Sequence, residues 1–212
     1  MKRLFLTSST NFVSHHLVKN IDLSKGNRLA FILTAAEVEH GDKQWLKDDR
    51  QSLVDAGFDV FDYTITGKTK SEIEQELASA DILYFSGGNT FYLLQQSQKS
   101  GFIPVVQDMV ENQGKIYIGT SAGSIIAGPQ LPKYLLELGE EHIADNLLDA
   151  TAYGFVNFIL LPHWGSEGFK QKYLESRLKL IYTPDQFPLV VLTDQQYVKV
   201  EGDSLEIIDT SR

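Results

Sequence analysis

Short apolar runs, mostly β-branched or aromatic, recur along the chain, each followed by a small-residue turn and then by a stretch with helical spacing. Arg3–Thr7 and Arg28–Thr34 are such runs, and they end in small polar residues, as strands buried on both faces do when they feed loops. Asn11–Asn20, between them, can form a helix, although Phe12, His15, His16 and Val18 define no clean face. Trp45–Ala56 reads as a charged surface helix stopped by Gly57, and Phe58–Tyr63 returns as a strand. Ser71-x-x-Glu74 has the form of a capping box, opening a helix with Ile73, Leu77 and Ala80 inward. Asp81–Phe85 is the next strand, and it runs into Ser86-Gly87-Gly88-Asn89-Thr90 and a helix through Phe91–Leu94. Phe102–Glu111 then sets Ile103, Val106, Met109 and Val110 on one helical face.

The stretch from Lys115 to Gly128 combines a buried strand, a Gly-x-Ser-x-Gly turn at 119–123 and a small-residue apolar run. This is the pattern of a sharp strand-to-helix elbow with Ser121 at its tip. Gly119 and Gly123 carry no Cβ to obstruct the tight turn, and the Ala122 N–H falls at a helix N-terminus, where an oxyanion can be held. A capping serine would give the same five-residue pattern. An irregular acidic region follows, Pro129–Asp149, with Glu137, Glu140, Glu141, His142 and Asp145. Phe155–Leu161 is a further buried strand that delivers Pro162-His163-Trp164 at its end. Helix Phe169–Tyr182 follows, with Phe169, Tyr173, Leu178 and Ile181 inward, and Leu189–Leu192, Tyr197–Val200 and Leu205–Ile208 read as closing strands with hairpin character. The alternation predicts an α/β fold with a mostly parallel central sheet and helices on both faces.

Composition narrows the function. The 212 residues suit a single domain, 1–212, and 42% hydrophobic with 22% charged residues is ordinary for a globular protein. A net charge of −9, with no long basic cluster, argues against nucleic acid and against an anionic membrane surface. Cysteine is absent, which removes disulfides, thiolate metal sites and a cysteine nucleophile together. No stretch approaches 18 apolar residues, and the expected location is cytoplasmic. No metal or other cofactor is called for, since none of the five histidines has a metal-ligand spacing.

A serine nucleophile needs a base, and an imidazole needs an acid to orient it. His15 and His16 are adjacent and cannot share a face, and His40 lies in a polar stretch. His142 sits among acids, whereas His163 stands just past an apolar strand at the sheet edge where ligands of open α/β sheets bind. Asp194, ending Val-Val-Leu-Thr-Asp, has the right topology for the acid, with Glu137, Glu141 and Asp145 as rivals.

Ser-Gly-Gly-Asn-Thr-Phe at 86–91, Gly-Thr-Ser-Ala-Gly at 119–123 and Pro-His at 162–163, in this order, resemble the peptidase E group of serine peptidases. That group includes α-aspartyl dipeptidases and relatives of cyanophycinase. The resemblance implies a class I glutamine amidotransferase-like fold, with serine in place of cysteine, and hydrolysis of a short peptide through an acyl-enzyme. It matches Ser121 to the nucleophile, His163 to the base, and the N–H groups of Gly88 and Ala122 to the oxyanion hole. The acid is matched by Asp194 on a late loop or by Glu137 or Glu141 in the segment between Ser121 and His163. Asn89 in the glycine loop and Lys170 on the helix after His163 are the expected substrate contacts, with Lys172 and Arg177 on the same helix. An esterase or amidase on the same residues, or a silent small-anion binding protein, are the alternatives, and a homodimer is compatible with the sequence.

Overall fold

A computed structural model of the chain describes residues 1–136, 147–181 and 187–211. Among these residues seven strands form one sheet, ordered β3-β2-β4-β5-β1-β8-β9. They are β1 (Arg3–Thr7), β2 (Arg28–Ile32), β3 (Asp59–Tyr63), β4 (Ile82–Phe85), β5 (Ile116–Thr120), β8 (Gln196–Glu201) and β9 (Ser204–Asp209). The first five run parallel, while β8 and β9 form an antiparallel hairpin added beside β1. A second sheet pairs β6 (Ile159–Leu161) with β7 (Leu189–Val191) in parallel.

The continuous apolar runs of β1, β2, β4 and β5 follow from burial on both faces. Leu4, Leu6, Ala30, Ile32, Leu83, Phe85 and Tyr117 face a core shared with α3 (Lys70–Glu76), α4 (Thr90–Ser100), α5 (Phe102–Glu111) and α6 (Ala122–Ile125). The alternate residues Phe5, Leu29, Phe31, Ile82, Tyr84 and Ile118 face the other core, with Val13 and Leu17 of α1 (Thr10–Leu17) and Leu53 of α2 (Gln44–Asp55). Helices therefore cover both faces of a mostly parallel sheet, in agreement with the sequence expectation.

Several local expectations are corrected. The capping box is Thr69-x-x-Glu72, in which the two partners bond reciprocally, and not Ser71-x-x-Glu74; both fit the pattern, and the helix starts at the earlier one. The inward face of α1 is Thr10, Val13, Ser14 and Leu17, an ordinary helical stripe that the half-exposed Phe12 obscures in the sequence. Only the last three residues of the run 155–161 form a strand, and that strand lies outside the main sheet with β7 as its partner. After His163 the chain is helical through Glu167–Phe169, α7 (Lys170–Lys172), a π turn Tyr173–Arg177 and α8 (Leu178–Ile181). Tyr173 and Arg177, four apart, are buried there and Leu178 is 36% exposed, so the basic residue and not the leucine points inward. Among the described residues no helix is long and apolar enough to cross a membrane.

Candidate active site

Neighbouring parallel strands of the main sheet deliver one half of the site. Register pairs Thr7 with Thr120, so the residues just past β1 and β5, Ser8 and Ser121, emerge side by side at the C-terminal edge. Ser121 has φ +48° and ψ −109°, an unusual backbone for a residue with a side chain, as the sharp turn between β5 and α6 requires. The turn is held by Ser121 N–H donating to the Thr7 carbonyl at 3.1 Å and by the Ser124 hydroxyl donating to the same oxygen at 2.7 Å. Gly123 has to be glycine, because a Cβ there would run into the Phe85 carbonyl.

The short parallel pair supplies the rest. His163 follows β6 by two residues and Asp194 follows β7 by three, so both emerge at one end of that sheet. The Tyr173 hydroxyl donates to the Pro162 carbonyl and ties the helical segment to the end of β6. His163 has φ +63°, and its ring stacks on Phe169 with centroids 4.1 Å apart and planes 10° from parallel.

Across the two sheets the groups converge. His163 Nε2 is 3.0 Å from Ser121 Oγ, and His163 Nδ1 is 2.7 Å from Asp194 Oδ1. A carboxylate only accepts, so Asp194 selects the tautomer with hydrogen on Nδ1 and leaves the Nε2 lone pair facing the serine hydroxyl. Burial acts to raise the Asp194 carboxyl, but hydrogen bonds from His163 and Ser8 outweigh it and hold the group below its ordinary value. Asp194 is thus ionised at neutral pH.

A cavity of about 450 Å³ opens over these groups, lined by Ser121, His163, Asp194, Gly87 and Gly88. Gly88, at φ +126°, cannot take a Cβ, which would collide with the Ala35 carbonyl, and its backbone forms part of the wall. Ala122, 1% exposed, begins α6 immediately after Ser121. Asn89 has another task, since its side chain caps α4 by accepting from Tyr92 N–H at 2.9 Å and it is not among the cavity-lining residues. Lys170 is exposed, paired with Glu167 at 3.1 Å, and also outside the lining. Among the described residues Lys172 and Arg177 are the lysine and arginine side chains that line the cavity. The Arg177 guanidinium lies 5.2, 5.6 and 5.8 Å from the ring centroids of Tyr173, Phe169 and Tyr134, and its Nε has no hydrogen bond among the described residues. Glu39, Asp48 and Asp49 are the acidic residues that line the cavity beside Asp194. Glu137, Glu141 and Asp145, the rival acids, and His142 lie outside the described residues.

Sequence reasoning did not single out Ser8, Asp49 or Phe169's stack on His163. Ser8 follows a strand as Ser121 does, but without flanking glycines nothing local marks it. Asp49 looks like one more charge on a polar helix, yet it is 4% exposed and accepts from Asn11 N–H and the Tyr84 hydroxyl, each at 2.9 Å. Desolvation raises its carboxyl to about 6.

A hydroxyl, an imidazole and a carboxylate in line at the edge of a mostly parallel sheet, beside a glycine-built wall, define the fold and site of an α/β serine hydrolase. Comparison with known proteins sharpens the class: the model of peptidase family S51 matches residues 4–208, and the chain belongs to that family. An uncharacterized peptidase of Pasteurella multocida is 31% identical over 207 residues, covering 96% of both chains. Peptidase E of Streptomyces coelicolor is 29% identical, covering 96% of this chain and 82% of its own. A crystal structure of a peptidase E candidate from Listeria monocytogenes superposes with a TM-score of 0.88 at 28% identity, covering 100% of both chains.

Proposed function

We propose that the enzyme hydrolyses dipeptides through an acyl-enzyme on Ser121, and that it favours an acidic N-terminal residue. The observation that carries the reading is the in-line set Ser121 Oγ, His163 Nε2, His163 Nδ1 and Asp194 Oδ1, with separations of 3.0 and 2.7 Å across its two hydrogen bonds. Ser121 Oγ attacks the scissile carbonyl while its proton passes to Nε2, and Asp194 stabilises the imidazolium without taking the proton. The carbonyl oxygen, now negative, turns toward the N–H groups of Gly88 and Ala122, and each such preorganised donor is worth about 3–4 kcal/mol in the transition state. Collapse expels the amine, which leaves with the proton from Nε2. Water then repeats the sequence on the ester, releasing the acid and restoring Ser121.

A cavity of this size lies in the range of small-molecule sites, which suits a dipeptide better than a long chain. The acidic preference is supported by Arg177 and Lys172 on its wall, and arginine is the residue suited to a bidentate carboxylate contact. The family match over residues 4–208 supports a catalytic unit that spans the chain. The test is a dipeptide panel with wild type, Ser121→Ala and His163→Ala. Turnover by wild type with Asp-X ahead of Asn-X and Ala-X, and its loss in both variants, is expected. Undiminished turnover in Ser121→Ala overturns the reading.

A further inference from the structure

Between the two sheets stands a hydroxyl to which the reaction scheme above gives no part. Ser8 is fully buried, and its Oγ meets both elements that aim the imidazole. It accepts from the His163 backbone N–H at 2.7 Å and donates to Asp194 Oδ1 at 2.8 Å, the same oxygen that accepts from Nδ1. Its distance to Nδ1 itself is 3.4 Å, so the single hydroxyl hydrogen is better used on the carboxylate. The Ser8 carbonyl in turn accepts from Thr120 Oγ1 at 3.3 Å, and Thr120 immediately precedes the nucleophile. One residue thus joins the elbow of the main sheet to the base and acid carried by the small one.

We propose that Ser8 is a positioning residue of the catalytic relay, which fixes His163 in its left-handed backbone and holds Asp194 in the rotamer that directs Nε2 at Ser121. The proposal rests on the reading of Ser121, His163 and Asp194 given above. A residue with a Cβ at φ +63° is strained, and it persists where surrounding bonds over-determine it. The bond from the His163 N–H is one of these. The second bond shares the charge on Asp194 Oδ1 with a neutral donor. Without it the carboxylate keeps its full charge against the imidazole, which alters the balance of proton transfer between Ser121 and His163.

Ser8→Ala removes both bonds. The expected result is a fall in kcat of about 10- to 100-fold per titrated active site, KM within about threefold, and a shift of about half a unit in the acid limb of kcat/KM. Other charged or titratable groups stand near the relay: Asp49 and Asp48 on α2, Glu39 before it, and Lys172, Tyr173 and Arg177 beyond His163. The Asp49 carboxyl, raised by burial to about 6, also titrates on the acid side, so the readout is the difference between variant and wild type and not the position of the limb. Active sites are counted with a fluorophosphonate, so any fraction that fails to fold drops out of the rate. Ser8→Thr and Ser8→Val have one shape and differ only in the hydroxyl: recovery of rate and limb by threonine and not by valine is expected. A Ser8→Ala rate within twofold of wild type with an unmoved acid limb overturns the proposal, as does equal activity of the threonine and valine variants. Failure of the underlying reading is a separate result, because it appears as turnover by Ser121→Ala or His163→Ala.

Discussion

Asp194→Asn isolates the electrostatic part of the relay. The substitution keeps the size of the side chain and an oxygen that can accept from Nδ1, but it removes the charge that faces the imidazolium during attack. Both partners are mostly buried, with side-chain exposures of 12% for His163 and 21% for Asp194, so solvent screens the pair only in part. With charge centres about 4 Å apart and an effective dielectric near 20, the lost attraction is about 4 kcal/mol. That corresponds to roughly a thousandfold in kcat. Asparagine can also turn its amide toward Nδ1, which stabilises the wrong tautomer and adds to the loss. Steady-state hydrolysis of an Asp-X dipeptide, normalised to active sites, measures it, with Glu137→Ala and Glu141→Ala assayed beside it. These two are expected to stay within about threefold of wild type. An Asp194→Asn variant within tenfold of wild type, or a Glu variant that loses a hundredfold, refutes the assignment of the acid.

Arg177→Leu is expected to lower kcat/KM for Asp-X by more than tenfold while changing Ala-X by less than threefold, read from the two specificity constants; equal losses on both would show a packing effect only. Gly88→Ala places a Cβ against the Ala35 carbonyl at φ +126°, so a lowered Tm and a kcat loss of roughly a hundredfold or more are expected by calorimetry and assay. Asp49 gives a pH signature in stability. Its carboxyl, raised by burial to about 6 in the fold from a reference of 3.8, keeps its proton where the unfolded chain has lost it. Its stabilising contribution is therefore complete below about pH 4 and lost as pH rises to about 6, a change of about 3 kcal/mol. Asp49→Asn, which can still accept from Asn11 N–H, should gain Tm relative to wild type between pH 4 and pH 7, and an unchanged difference across that range would contradict the argument.

The sheet was legible because β1, β2, β4 and β5 are buried on both sides, which leaves unbroken apolar runs that few other structures produce. The elbow was legible because its tight backbone needs glycine on both sides of Ser121. Other features left weaker traces. The pairing of β6 with β7 is a contact between residues about thirty positions apart, and nothing within either run says that it leaves the main sheet. On the helix after His163, apolar character favours Leu178 as the inward residue, but spacing from Tyr173 brings Arg177 in, with its guanidinium near three aromatic rings. That same step turns an apparent surface charge into a wall of the cavity. Lys170, one residue past Phe169, falls on the solvent side, and Asn89 is taken up by the cap of α4. Ser8 was illegible because its role exists only where two sheets meet.

The central claim is that Ser121 becomes covalently acylated with help from His163. Rapid quench of the enzyme with an Asp-derived activated ester, followed by peptide mass mapping, tests it. The account predicts an aspartyl adduct on the peptide containing Ser121, absent in Ser121→Ala and formed at least a thousandfold more slowly in His163→Ala. Turnover of the ester with the adduct on another residue, or at an undiminished rate in Ser121→Ala, would contradict it.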